Sequence, residues 1–165
     1  MAARDIKRGI LVMAVTASAM LIGACGDETS PLDGSECTLM SCNFTTIKCQ
    51  GFFDKDQGTP KDLKVIYLNT DDTGTTYTAV ITIDVRNISP VTGATFKGQD
   101  MLDRVTLYRP PPGEPWPVFT GNSCHISNGG DKLGGKYQGK CGFFFDNGRT
   151  LTARWSCKLE EPKQE

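Results

Sequence analysis

The chain has 165 residues, with 18 Lys and Arg against 19 Asp and Glu, for a formal net charge of −1. That balance argues against a nucleic-acid binder, which carries a marked basic excess. The single histidine excludes a multi-histidine zinc site, and seven cysteines turn attention to disulfide chemistry.

The first 24 residues read as an export signal. Arg4, Lys7 and Arg8 make a basic start, and Gly9 to Ala24 is uncharged but short for a transmembrane helix. The run ends in Leu21-Ile22-Gly23-Ala24-Cys25. This resembles the lipobox of bacterial lipoprotein precursors, with Ile22 where that family usually has Leu. The resemblance covers only about the first 25 residues. It implies cleavage before Cys25 and lipidation of the Cys25 thiol, so that several acyl chains hold the mature N-terminus in the membrane, where one would hold it only marginally. In the Gram-negative sorting pattern an Asp after the lipidated Cys favours the inner membrane. Gly26 therefore implies an outer-membrane location in a host that has one. Without the signal, 15 basic and 18 acidic groups remain, so the nucleic-acid reading stays excluded.

Residues 25–36 (CGDETSPLDGSE) then form a lipidated Cys and a polar tether. Removing Cys25 leaves Cys37, Cys42, Cys49, Cys124, Cys141 and Cys157. An even set in an exported chain predicts three disulfides. The C-x4-C-x6-C spacing of the first three suits a zinc ribbon poorly.

Asp54 to Asp62 is a polar turn. Asp54, Asp56 and Asp62 do not make a calcium loop, because Gly58 and Val65 stand where such a loop needs acids. Leu63 to Asn69 and Thr75 to Asn87 read as strands. In the second, Tyr77, Ala79, Ile81, Ile83 and Val85 share a core face. Ile88 to Asp103 is looser, with turns at Ser89-Pro90 and Thr92-Gly93 and one helical turn over Gln99 to Asp103. Arg104 to Tyr108 is a strand. Arg109 to Pro117 carries too many prolines for a ladder and reads as a stiff connector, or as a contact loop if the protein is an adhesin or inhibitor. Val118 to Ser127 is a strand, and Asn128 to Asp131 a turn.

The final stretch, Gly135 to Lys158, predicts a β-hairpin. Asp146-Asn147-Gly148 suits a three-residue loop with Gly148 at positive φ. That loop sets Phe143 opposite Leu151, Cys141 opposite Ala153, Gly139 opposite Trp155 and Tyr137 opposite Cys157, all on one face. Trp155 then covers the bare backbone at Gly139. Cys141 and Cys157 fall about 13 Å apart at roughly 3.4 Å per residue, so they cannot bond to each other. The expected pairing is Cys124 with Cys141, Cys157 with one of the first three, and the remaining two together. On the opposite face Lys140 meets Arg154 and Lys136 meets Lys158. Such like-charge pairs call for a neighbouring acid, for water or for a bound anion, which makes Lys136, Lys140, Arg154 and Lys158 a candidate anion-binding face.

The expected architecture is all-β: one antiparallel β-sandwich or small β-barrel over residues 37–159, stapled by disulfides, with a polar tail at 160–165. Catalytic chemistry has little support. His125 neighbours Ser123 and Ser127, but a triad also needs a distant orienting acid, and no motif in the sequence supplies one. Gly130 to Tyr137 approaches a P-loop but lacks the hydroxyl after Lys136 and the following helix. No cofactor and no metal are expected. The functional expectation is a non-enzymatic envelope lipoprotein that binds an envelope polymer or protein or serves in assembly. The alternatives are a small-ligand carrier with a barrel cavity, a surface adhesin or inhibitor, and a hydrolase of envelope polymers.

Overall fold

The computed structural model describes residues 31–38, 42–54, 60–86, 93–129 and 132–162. Cys25 and its lipobox, the middle of the Asp54 to Asp62 turn, the turn at Ser89-Pro90, and Gly130-Asp131 lie outside the described residues.

The closing hairpin pairs β8 (Lys136–Phe145) with β9 (Thr150–Glu160) in the expected register, from Lys136 opposite Lys158 to Phe144 opposite Thr150. The loop closes as predicted. The Phe145 amide donates to the Arg149 carbonyl at 2.9 Å, the Gly148 amide donates to the Phe145 carbonyl at 3.0 Å, and Gly148 has φ +78°. Alternation does the rest: Tyr137, Cys141, Phe143, Phe145, Leu151, Ala153 and Trp155 are all buried. Trp155 lies directly over Gly139, filling the space a side chain there would need.

Around this hairpin the chain is mostly β, a curled mixed sheet forming a half-barrel with one short helix and three disulfides. The remaining strands are β1 (Leu32–Asp33), β2 (Thr46–Phe53), β3 (Pro60–Thr70), β4 (Thr76–Asp84), β5 (Ala94–Lys97), β6 (Val105–Tyr108) and β7 (Phe119–Gly129). Their order is β5-β7-β8-β9-β2-β3-β4-β6, with β1 pairing on β9. All ladders but one are antiparallel. The exception is β2 on β9, a parallel contact of two residue pairs, Cys49 with Leu159 and Gln50 with Glu160. The all-β class therefore holds, with a mixed sheet in place of a wholly antiparallel one.

The two edge strands β5 and β6 are joined by α1 (Gly98–Arg104), which spans about 10 Å at 1.5 Å per residue. Met101 on this helix is fully buried and closes the open side of the curl. Arg104 pairs with Asp100 one turn earlier, at 2.7 Å. The interior is filled by side chains, among them Tyr67, Tyr137, Phe143, Phe145, Ile81 and Met101.

Several boundaries differ from the sequence expectation. Residues 31–36, expected in the tether, are docked on the domain. Leu32 pairs with Ala153 and is buried, and a 3-10 turn at Ser35–Thr38 caps the β8–β9 loop. There Asn147 donates to the buried Glu36 carboxylate at 3.1 Å, and the Thr150 amide donates to the Ser35 hydroxyl at 2.9 Å. Strand β3 starts three residues early, at Pro60, a position where no ladder donor is needed. Strand β4 stops at Asp84, not Asn87, because the Asp84 carboxylate takes the Arg86 amide at 2.9 Å and turns the chain. Strand β7 runs on to Gly129 past a bulge between Ile126 and Asn128, so residues expected in a turn pair with β8 instead. The segment Arg109 to Pro117 is pinned inward as a connector: Trp116 stacks on Phe145 and the Arg109 guanidinium lies 5.0 Å over the Trp116 ring.

The disulfides are Cys37–Cys42, Cys49–Cys157 and Cys124–Cys141. This is the expected scheme, with Cys49 as the partner of Cys157. Three such bonds assign the domain to an oxidising, extracytoplasmic setting. Cys49–Cys157 lies beside the parallel ladder, where the half-sheet β5-β7-β8-β9 meets the half-sheet β2-β3-β4-β6. Farther along that seam the Tyr67 hydroxyl donates to the Arg154 carbonyl at 3.1 Å.

Three outcomes follow for stability. Gly139→Val puts a Cβ 2.4 Å from the Trp155 ring and 2.6 Å from the His125 carbonyl oxygen. It should lower stability by about 1–3 kcal/mol in urea unfolding with disulfides intact. Replacing both Cys49 and Cys157 by Ala opens a loop of sequence separation 108 and should cost about 5 kcal/mol, against about 2 kcal/mol for Cys37 with Cys42 at separation 5. Burial raises the pKa of both the Tyr67 and Tyr137 phenols, so folding retains their protons. That contribution to stability is complete below the ordinary phenol value of about 10 and is lost as pH rises above it. Tyrosinate absorbance from these two residues should therefore appear together with alkaline unfolding, in one transition.

Candidate functional site

A groove of about 970 Å³ opens where the two half-sheets splay above the parallel ladder. One wall is the outward face of β7, β8 and β9. The pairing of these strands aligns His125, Lys140 and Arg154 in a row across them, with Gln138 and Ser156 in the next rank. The facing wall is the chain leading into β2, namely Asn43, Phe44, Thr45 and Ile47, with Pro31 at one end. Phe44 is held by an edge-on contact with Tyr67 at 6.2 Å and by the backbone bond from the Thr45 amide to the Leu68 carbonyl. Trp155, buried on the inner face of β9, borders the groove. Its indole N–H is buried and has no hydrogen-bond partner among the described residues.

The strand wall is polar and cationic, and the half-buried Pro31 and Ile47 add apolar surface. No carboxylate lines the groove among the described residues. Arg154 is held by Asp33 of β1 at 2.5 Å, so an acid from a neighbouring strand relieves its opposition to Lys140. Lys140 itself is exposed and has no ion pair among the described residues. His125 shares a hydrogen bond between Nδ1 and the Thr95 hydroxyl at 2.8 Å. No described carboxylate binds its other nitrogen, so this pair lacks the orienting third member of a hydrolytic triad. Ser127, the neighbour considered from sequence, donates to the Gln138 carbonyl at 3.1 Å.

The four candidate cations thus divide. Lys140 and Arg154 line the groove, whereas Lys136 and Lys158 lie opposite each other and outside it. His125, Phe44, Ile47 and Thr45 were not picked out as site residues. One signal was present: if Cys124 bonds across to Cys141, antiparallel pairing sets His125 opposite Lys140. The Phe44 wall has no such signal, because it arises from the non-local meeting of β2 and β9.

A second, smaller cavity, of about 370 Å³, lies among Asp84, Arg86, Asp100, Asp103 and Arg104. Both of its guanidiniums are already paired, and the third carboxylate, Asp103, accepts from an amide. Arg86 forks onto Asp84, and that hydrogen bond holds the Asp84 carboxyl below the usual carboxylate range. Arg104 bonds Asp100, and Gln99 bonds Asp103. Among the described residues no group of three or more His, Cys, Asp or Glu is placed to hold a metal ion.

No protein-family model, curated protein or solved structure matches the chain.

Proposed function

We propose that the protein is a lipid-anchored envelope protein, an outer-membrane lipoprotein, whose β domain binds a ligand and does not transform it. The lipobox ending in Cys25 supports the anchor, and the disulfide scheme agrees with an exported domain. The observation that carries the binding reading is the seam groove, concave and large enough for a small ligand, bordered by the half-buried Pro31 and Ile47 and a few converging polar groups. The interior of the half-barrel is packed with side chains, so a carrier would use the groove and not a lumen. The Pro110 to Pro117 loop, considered as an adhesin surface, supports that reading less well because Trp116 holds it inward.

Growth with a labelled fatty acid tests the anchor. The wild-type chain should take up label and fractionate with membranes. A Cys25→Ser chain should carry no label, and label retained on it would overturn the proposal.

A further inference from the structure

We infer that the outward face of β7, β8 and β9 binds an acidic polysaccharide, with one sugar ring on Phe144 and carboxylates on the lysines beyond it. This goes beyond the seam groove, whose lining includes Lys140 but not Phe144, Asn122 or Lys97. The starting point is a strained residue. Asn122 has φ +135°, a conformation that residues other than Gly rarely adopt, and it follows Gly121 at +132° beside a bulge in β7. Such strain persists only where the surroundings impose it, and it clusters at binding sites. By its pairing Asn122 stands opposite Phe143, which is fully buried, yet Asn122 itself is exposed. The inverted φ turns its carboxamide onto the outward face, over the bare backbone of Gly142. There Nδ2 lies 2.7 Å from the place a Cβ of Gly142 would take. The amide bonds no described residue, so its donors and acceptor are free for a ligand.

Phe144 is the next outward residue of β8, roughly 7 Å from Gly142, and is 47% exposed. Its cross-strand neighbours are Gly121 and Thr150, so no bulky side chain flanks the ring. A ring left open in this way fits a sugar. The sugar's C–H face meets the electron-rich ring face, and its hydroxyls meet Thr150 and the Asn122 amide. The lysines supply the charge selectivity. Asp33 satisfies Arg154, so the available charge is that of Lys97, Lys140, Lys136 and Lys158. All four are exposed, and none is in an ion pair among the described residues. Lys97 shares a rank with Ser123 and Gly142, and Lys140 follows Gly142 along the outward side of β8. Lys136 and Lys158 close the face roughly 27 Å from Phe144. A small anion cannot span that length, whereas a polymer with repeated carboxylates can. A bilayer surface fits less well, because Phe144 is the one apolar side chain at the outward positions of β8 and β9.

The test titrates the full chain in neutral detergent with a fluorescent oligogalacturonate, read by anisotropy. Binding is expected, weakened by salt and competed by unlabelled polygalacturonate. Its methyl ester keeps the rings and loses the charge, and polyglutamate keeps the charge and lacks the rings. Each should compete about tenfold less well. Phe144→Ser should weaken binding about tenfold, and its exposure leaves the core intact. Asn122→Gly removes the strain, so urea stability should hold or rise while binding falls. A merely structural Asn122 would not separate the two readouts. Equal competition by polyglutamate or by anionic vesicles would overturn the assignment to a polysaccharide, as would full binding by Phe144→Ser. Binding that Thr45→Trp removes and Phe144→Ser spares would place the polymer in the seam groove and overturn this inference alone. Absence of binding by the wild-type chain would overturn it too, and leaves the groove reading standing.

Discussion

The structure depends on one narrow junction. Among the described residues the two half-sheets pair at two positions, Cys49 with Leu159 and Gln50 with Glu160, reinforced by the Cys49–Cys157 bond. A parallel contact that short contributes little by itself, because the entropy of bringing distant strands together is large. The covalent bond removes much of that cost by tying residues far apart in sequence. The core can then form as one body, with β3 and β4 on one side and the closing hairpin on the other. The Tyr67 hydroxyl adds a polar link along the same line.

The same junction creates the groove. Because β2 and β9 pair only at one end, they diverge at the other. The divergence leaves Ile47 half-buried beside a strand face that is otherwise solvated. A fully zipped ladder would have left the cationic row on a flat surface. The site is thus a by-product of incomplete pairing, held open by elements that do not enter it: β1 along one part of the β9 edge and the Cys37–Cys42 bond behind Phe44.

Local chemistry made the final hairpin legible. Its loop residues, its strict alternation and the Gly139–Trp155 pair all agreed, so its register was readable before any tertiary information. The same alternation revealed β4, and the same register excluded Cys141 with Cys157. Elements with weak local signals were missed. Strand β2 places Gly51 where a core side chain would mark the face, so its alternation is weak. Strand β5 has four residues, too few to show a period. Strand β1 has two, and its polar neighbours read as tether. The parallel ladder was invisible because no turn connects its strands. Of the site, Lys140 and Arg154 were legible from register, whereas the wall facing them depends on how the halves splay.

The sheet ends in two strands of only four residues each, and a helical turn spans the distance between them. Few unpaired backbone donors and acceptors therefore run in line at either border, which denies a neighbouring molecule a template for adding itself to the sheet. For the folded domain, that brevity favours individual molecules over fibrous association.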